Sequence, residues 1–381
     1  MNKCFKNVNV YIEGKGIVKT DLSFNDTILS FSSCVEDEVI SLPKDAIVLP
    51  GFIDQHVHAA GGCDTMDASI EALTTFADTL SKEGTTSFLA TSMTMADENI
   101  VKSMDVVKQY INLDKEVGAR LLGVHLEGPF ISIKMVGAQP VEHVVKPNNA
   151  LFDKYNHSSG NNIKIITVAP EVEGADDFIK HITSKGTVVS IGHTTAKHTD
   201  VVKAINSGAK GITHTFNAQS PLHHRDIGVV GSALLEDELY CELIADTIHV
   251  SVPAIKLLVK NKADDKIILI TDSMRAKGLK DGISELGGQT VYVKNGEARL
   301  ADGTLAGSVL KMNNAVKNMV EKVGVPLEKA VDYCTINPAK NLGVSEKIGS
   351  IKVGKLADFA VLDKDFNVLL TIKNGNVIYK K

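Results

Sequence analysis

The sequence predicts an α/β protein, a (β/α)8 TIM-like barrel with a small discontinuous β-sandwich domain formed by both chain ends. Three observations carry this expectation. About eight short apolar runs follow one another through the middle of the chain, each followed by a connection and usually a helix, the alternation that builds a parallel sheet. Six of those runs stop in His, Glu or Asp. Both chain ends show short β patterns without helical periodicity.

Taken in order, residues 1–49 read as β, with a strand over 8–12, turn residues at Gly14 and Gly16, and a last apolar run over 46–49. The first barrel run, 50–58, ends in His56 and His58. Residues 71–82 place Leu73, Phe76, Ala77 and Leu80 at helical spacing, and Gly84 closes that helix. A strand over 86–90, a helix from Asp97 to about Lys115, and a third strand over 121–124 lead to His125-Leu126-Glu127. Further strands read over 163–168, 187–191, 211–213, 241–245 and 266–270. The fifth runs into His193, the sixth into His214, the seventh towards Asp246 and His249, and the eighth into Asp272. In a barrel all strand C-termini meet on one face, so these groups converge. An open doubly wound sheet, the competing architecture, could not gather them all. Residues 290–300 read as an inserted hairpin, helices start near Ser308 and Pro326, and the tail returns to β with Asn374-Gly375 as a hairpin turn. The expected division is 1–49 plus 346–381 for the small domain and 50–345 for the barrel.

Composition narrows the function classes. With 44% hydrophobic and 23% charged residues among 381, the chain is an ordinary globular sequence, long enough for one large domain and a smaller one. A net charge of −5 without Lys/Arg runs gives no footprint for nucleic acid. No stretch approaches the ~18 uninterrupted apolar residues of a membrane span, and residues 1–16 hold no continuous apolar segment of a signal peptide. Five cysteines, Cys4, Cys34, Cys63, Cys241 and Cys334, lie without paired spacing, which points to reduced thiols and a cytoplasmic location.

The strand-end residues suggest a metal site. On an extended segment His56 and His58 point the same way and can hold one cation between them. Glu127, placed by the turn at Gly128-Pro129, completes with His193 and His214 a three-ligand set that leaves a position open, the arrangement of a catalytic metal. Glu127 could also bridge to a second ion at His56 and His58. Asp272 would then stand beside a cation-polarised water, accept its proton and return it to the leaving group. His125 is expected on the opposite side of its strand from Glu127, as a residue supporting the ligands or a core residue rather than a ligand. Ligands of this kind suit zinc, iron, manganese or cobalt, in one or two divalent ions per chain.

These residues resemble the amidohydrolase superfamily, through 50–58, His193, His214 and Asp272, and within it the family of N-acetylglucosamine-6-phosphate deacetylases. The narrower resemblance rests on His125-Leu126-Glu127-Gly128-Pro129-Phe130, on 213–218 running into Pro221-Leu222-His223-His224-Arg225, on 244–249, on Leu305-Ala306-Gly307-Ser308, and on 349–358. It covers essentially the whole chain. The resemblance implies hydrolysis of the acetamide of N-acetylglucosamine 6-phosphate, with Glu127, His193 and His214 on the catalytic metal and Asp272 as acid/base. It implies that Asn217, Ala218, Arg225 and His249 receive the sugar phosphate, with Arg225 reaching into a neighbouring subunit of a homodimer. Leu305 and Ala306, with Gly307, Ala138 and Gln139, would line the rest of the substrate site. Two features depart from or divide the family. Gln139 stands where many members carry a carbonyl-polarising His, and it can donate a hydrogen bond but carries no charge. The His56/His58 pair, lost in some members, is intact. Rival readings are another amidohydrolase, such as a cyclic amidase or a deaminase, and a non-catalytic barrel scaffold.

Overall fold

The computed structural model describes residues 2–32, 34, 38–113 and 117–381. Eight parallel strands form the barrel in chain order: Phe52–Val57, Thr85–Thr91, Arg120–Glu127, Ile163–Val168, Val188–Ile191, Gly211–Ile212, Tyr240–Ile244 and Ile267–Ile270. Each is hydrogen-bonded to the next. The expected barrel is therefore the fold, and the strand ends that sequence singled out share its C-terminal face. Helices cover the outside, the first over Ile70–Ser81, where Ser69 Oγ accepts from Ala72 N and caps the free N–H groups. The second runs Asp97–Asn112, and its predicted end at Lys115 lies outside the described residues. No helix among the described residues is long and apolar enough to cross a membrane.

The barrel is not closed by a direct ladder between its first and last strands. Residues 333–341 sit between them at the lower end: Ile53 N donates to Cys334 O at 2.8 Å and Leu269 N to Tyr333 O at 2.8 Å. The Asn337 amide donates to Asp264 O and Ile267 O at 2.7 and 2.8 Å, and Asn341 donates to Gln55 Oε1 at 3.0 Å. At the upper end the two strands do meet, through Asp272 N to His56 O at 2.9 Å and Thr271 Oγ1 to the buried Asp54 carboxylate at 2.5 Å.

Both chain ends join in one hydrogen-bonded sheet, ordered Asn376–Lys380, Val368–Lys373, Phe359–Leu362, Ile47–Pro50, Lys3–Ile12, Gly16–Phe24 and Ile28–Ser30. It curls over its own apolar core around Phe5, Phe24 and Phe359. Lys3 Nζ, from an inner strand, donates to Gly375 O at 2.8 Å at the turn before the edge strand Asn376–Lys380. Its middle strand leads straight into the barrel, and Arg120 clamps the two units by a forked pair of bonds to Asp358 at 2.7 and 3.2 Å. Cys34 lies beside this sheet with its Cα 5.9 Å from that of Cys4, within reach of a pairing between the two sulfurs. This juxtaposition was not expected from the sequence, because a 30-residue separation carries no spacing signal. Cys63, Cys241 and Cys334 are free.

The insert has three antiparallel strands, Gly282–Leu286, Gln289–Lys294 and Glu297–Arg299, one more than the expected hairpin. The extra strand is exposed at Gly282 and Ile283 and buried only at Leu286, so no apolar or alternating pattern marks it in the sequence. The inner face of the insert, Leu286, Val291, Val293 and Ala298, packs on Met93, Met274 and Ala306 beside the barrel mouth.

Beneath the strand ends lies a fully buried ion pair, Lys277 Nζ to Glu83 Oε1 at 2.6 Å. Lys277 Nζ is also 3.3 Å from Thr271 Oγ1, the residue before Asp272. Burial pushes the Glu83 carboxyl up from 4.5 to about 7 despite Lys277. An unfolded chain would ionise Glu83 first, so this group costs stability as pH rises from 4.5 towards 7, and the cost stops growing once the folded pair is ionised. Without Lys277 the folded carboxyl would stay protonated to higher pH, and the loss would continue. Lys277→Met is therefore expected to destabilise by about 3–5 kcal/mol, with the gap to wild type widening above pH ~7, read by denaturant unfolding across pH.

Candidate metal centre

Each candidate ligand sits at a barrel strand end. His56 lies in the first strand, Glu127 closes the third, and His193, His214 and Asp272 each stand two residues past the fifth, sixth and eighth. Those last three take left-handed φ values of 47°, 30° and 46°. Side chains with a Cβ seldom adopt that backbone, and each such residue costs about 1–3 kcal/mol unless its surroundings hold it. Here they do: Thr194 N donates to Ala218 O at 3.1 Å and Ser308 N to Asp272 O at 2.8 Å. Gly128, at φ 73°, turns the chain directly after Glu127, where a Cβ would overlap the Thr94 side chain.

The side chains form two groups that share Glu127. Oε1 of Glu127 lies 3.2 Å from His193 Nε2 and 3.1 Å from His214 Nε2, and those two nitrogens are 3.0 Å apart. Oε2 lies 3.2 Å from His58 Nε2. Asp272 Oδ1 lies 3.2 Å from His58 Nε2 and 3.5 Å from His56 Nε2. Both groups, Glu127/His193/His214 and His56/His58/Asp272, are compact enough for one cation each.

This donor set fits a divalent metal. His56 Nε2 is buried without a hydrogen-bond partner among the described residues and faces the two carboxylates, the placement of a ligand lone pair. The electrostatics agree. Burial opposes charge on every group. Even so, the carboxylates Asp272, Glu127 and Glu242 raise His56 to about 9, and Asp272 and Glu127 raise His58 well above 6.5. The imidazoles, His56 foremost, hold Glu127 well below the usual carboxylate range. They hold Asp272 below it in the same way, against burial. Such a cluster attracts positive charge, and protons compete with a cation for the same nitrogens.

His125 is not on the far side of its strand. Two residues before Glu127, it keeps the same inward side one layer lower, because strand side chains alternate with period two. Its ring lies 4.4 Å from that of His56, its nitrogens 3.2 Å from Gln55 O and 2.8 Å from Thr167 Oγ1. Burial, helped by His56, lowers it to about 3 and keeps it neutral.

A cavity of about 360 Å³ opens above the cluster, lined by His58, Glu127, His193, His214 and Asp272, within the range of small-molecule sites. Of the remaining candidates, Ala138, Gln139, Asn217, Ala218, His249, Leu305 and Gly307 also line it. Ala306 does not. It is fully buried in the wall behind, with its N–H on Ala298 O at 3.0 Å. Arg225 is exposed on a loop outside the cavity, its Nη1 2.9 Å from His224 Nε2. Gln139 is committed in a way its sequence position did not indicate, Nε2 donating to Glu127 Oε2 at 2.6 Å and Oε1 accepting from Thr94 N at 2.7 Å. The His249 ring is oriented by Asp246 Oδ2 at 2.6 Å from Nδ1.

Sequence reasoning missed Glu242. It is buried inside the barrel with Oε2 2.9 Å from His56 Nδ1 and Oε1 accepting from Gln55 Nε2 at 2.7 Å. The available signal was a single carboxylate inside the apolar run Tyr240-Cys241-Glu242-Leu243-Ile244.

Comparison with known proteins supplies the context. The amidohydrolase family model matches residues 47–378. N-acetylglucosamine-6-phosphate deacetylase of Bacillus subtilis is 42% identical over 381 residues, spanning 98% of this chain and 96% of that protein. The crystal structure of N-acetylglucosamine-6-phosphate deacetylase from Pasteurella multocida superposes with a TM-score of 0.92 at 34% identity, covering 99% of both chains. N-acetylgalactosamine-6-phosphate deacetylase of Escherichia coli is 37% identical, spanning 85% of this chain and 86% of that protein.

Proposed function

We infer, from the premise that this chain belongs to the amidohydrolase family, that it is a metal-dependent deacetylase converting N-acetylglucosamine 6-phosphate and water to glucosamine 6-phosphate and acetate. The observation that carries this is likeness along nearly the whole chain to proteins of that activity. The convergence of Glu127, His193 and His214 at the floor of one cavity supports the metal-dependent chemistry.

Glu127, His193 and His214 would hold one divalent ion, and His56 and His58 with Asp272 a second, drawn from zinc, iron, manganese or cobalt. A cation there lowers the pKa of a water towards ~7 and polarises the amide oxygen. Asp272, bordering the cavity, takes the proton from the attacking water as the C–O bond forms. It then delivers that proton to the sugar nitrogen as the C–N bond breaks. Gln139 spends one amide N–H on Glu127 and keeps the other for the acetyl oxygen. Leu305 and Gly307 line the acetyl end, with Ala306 backing it. Asn217, Ala218 and His249 receive the sugar phosphate. Arg225 completes the phosphate site from a second copy of the chain, a role its exposure outside its own cavity supports, and this makes the working form a homodimer. A phosphorylated sugar does not cross membranes unaided, which makes the cytoplasm the working compartment. Within it the reaction releases an amino sugar for catabolism and recycling.

The test is acetate release by metal-replete protein from three substrates: N-acetylglucosamine 6-phosphate, the same sugar without phosphate, and N-acetylgalactosamine 6-phosphate. The expected result is turnover of the phosphorylated gluco sugar well above the other two. Equal turnover with and without phosphate would remove the phosphate site from the reading. Preference for the galacto epimer would move this chain to the other named activity among its relatives. No acetate from any of them, with metal bound, would turn attention to cyclic amides.

A further inference from the structure

The four histidines of the cluster are not braced alike. A ligating imidazole ordinarily donates its other ring N–H to a carbonyl or carboxylate, which fixes the tautomer, orients the ring and raises its basicity. In the Glu127/His193/His214 group both rings have such a partner: His193 Nδ1 lies 2.9 Å from Met135 O, and His214 Nδ1 lies 3.2 Å from Asn217 O. In the other group only one does. His56 Nδ1 lies 2.9 Å from Glu242 Oε2, whereas His58 Nδ1 is buried and unpartnered among the described residues. The His56/His58 position therefore depends on a single brace, and that brace is Glu242.

Glu242 is itself held on all sides. Oε1 accepts from Gln55 Nε2 at 2.7 Å. Oε2 accepts from His56 Nδ1 at 2.9 Å and from the backbone N–H of His214 at 3.3 Å. Gln55 is fixed in turn by Asn341, which donates to its Oε1 at 3.0 Å. Both Glu242 oxygens act only as acceptors, so an amide in its place would turn a donor towards either Gln55 or His56. A side chain only 2% exposed leaves no water to absorb that mismatch.

We propose that the two cation positions are unequal: the Glu127/His193/His214 position fills first and tightly, and the His56/His58 position fills second and is held through Glu242, acting as a positioning residue. This rests on the reading of the cluster as a divalent-metal site. It predicts that the ions leave one at a time, and that the one at His56 and His58 can be removed without touching any ligand.

The test is equilibrium dialysis of the zinc-loaded protein against a series of free-zinc buffers, with zinc per chain measured at each point. Wild type should pass through a plateau at one zinc before reaching two. Glu242→Gln should shift the second step to about 10–100-fold higher free zinc and leave the first step in place. Gln55→Ala, which touches no ligand, should shift the same step in the same direction by less, and it keeps the test decisive if Glu242→Gln fails to fold. Cobalt-loaded wild type, unlike either variant at limiting metal, should show the magnetic coupling of a paired site. The proposal is overturned if both steps move together, if neither moves, or if wild type binds two zinc ions in a single step. Parallel acetate release separates the two readings. Activity with only one zinc ever bound sinks this proposal and spares the deacetylase; two ordered zinc steps without acetate release do the reverse.

Discussion

Asp272→Asn is expected to lower turnover by about 10²–10⁴, the usual contribution of a positioned acid/base, while zinc remains at Glu127, His193 and His214. The amide keeps the shape of the side chain, and the backbone bonds of residue 272 to Ser308 and His56 are untouched, so the loss isolates proton transfer from folding. It cannot accept the proton of the attacking water, and it cannot return one to the sugar nitrogen. The measurements are acetate release at saturating substrate and zinc per chain at limiting zinc. A variant that keeps near wild-type turnover removes Asp272 from the mechanism. A variant that loses the tighter zinc as well would make Asp272 a structural ligand first.

The larger effect is expected from Glu127→Ala. Glu127 stands between the two groups, with one oxygen on His193 and His214 and the other on His58. Removing it should take zinc content to background at concentrations that saturate wild type, and acetate release with it. That loss should exceed the ~10–100-fold that an outer partner of a ligand supplies. Glu127→Gln should lie between the two, since it keeps one acceptor oxygen but turns a donor towards imidazoles that need an acceptor. Full activity of Glu127→Ala would mean that the cluster binds its cation without its shared carboxylate, and the two-group description would fail.

The barrel was legible because its strands are largely buried and so read as short, mostly apolar runs, and because most of those runs lead into a residue with a chemical task. His56, His58, Glu127, His193, His214 and Asp272 stand out for that reason: each interrupts an apolar pattern at its end. Glu242 and Gln55 do the same kind of work from inside a strand, where a single polar residue reads as an ordinary interruption of the pattern. The Cys4–Cys34 juxtaposition, the Gly282–Leu286 strand and the bonds Gln139 makes to Glu127 and Thr94 all depend on long-range contacts that no local period encodes. The side taken by His125 was legible, since residues two apart in a strand share a face, and placing it opposite Glu127 miscounted that period.

The segment over 333–341 also sets a timetable. The first barrel strand is complete at Val57, yet the carbonyl that Ile53 N–H bonds belongs to Cys334, and the amide that steadies Gln55 belongs to Asn341. At the usual pace of synthesis, about 5–20 residues per second, the first strand waits on the order of tens of seconds for those groups. Through that interval its neighbour on one side is missing, and the polar atoms of Gln55 and Asp54 stand at an open seam. The nascent chain therefore carries that open seam until nearly its full length has been made, and the piece that seals it, a turn over 333–335 with the short helix Ile336–Asn341, carries no catalytic group.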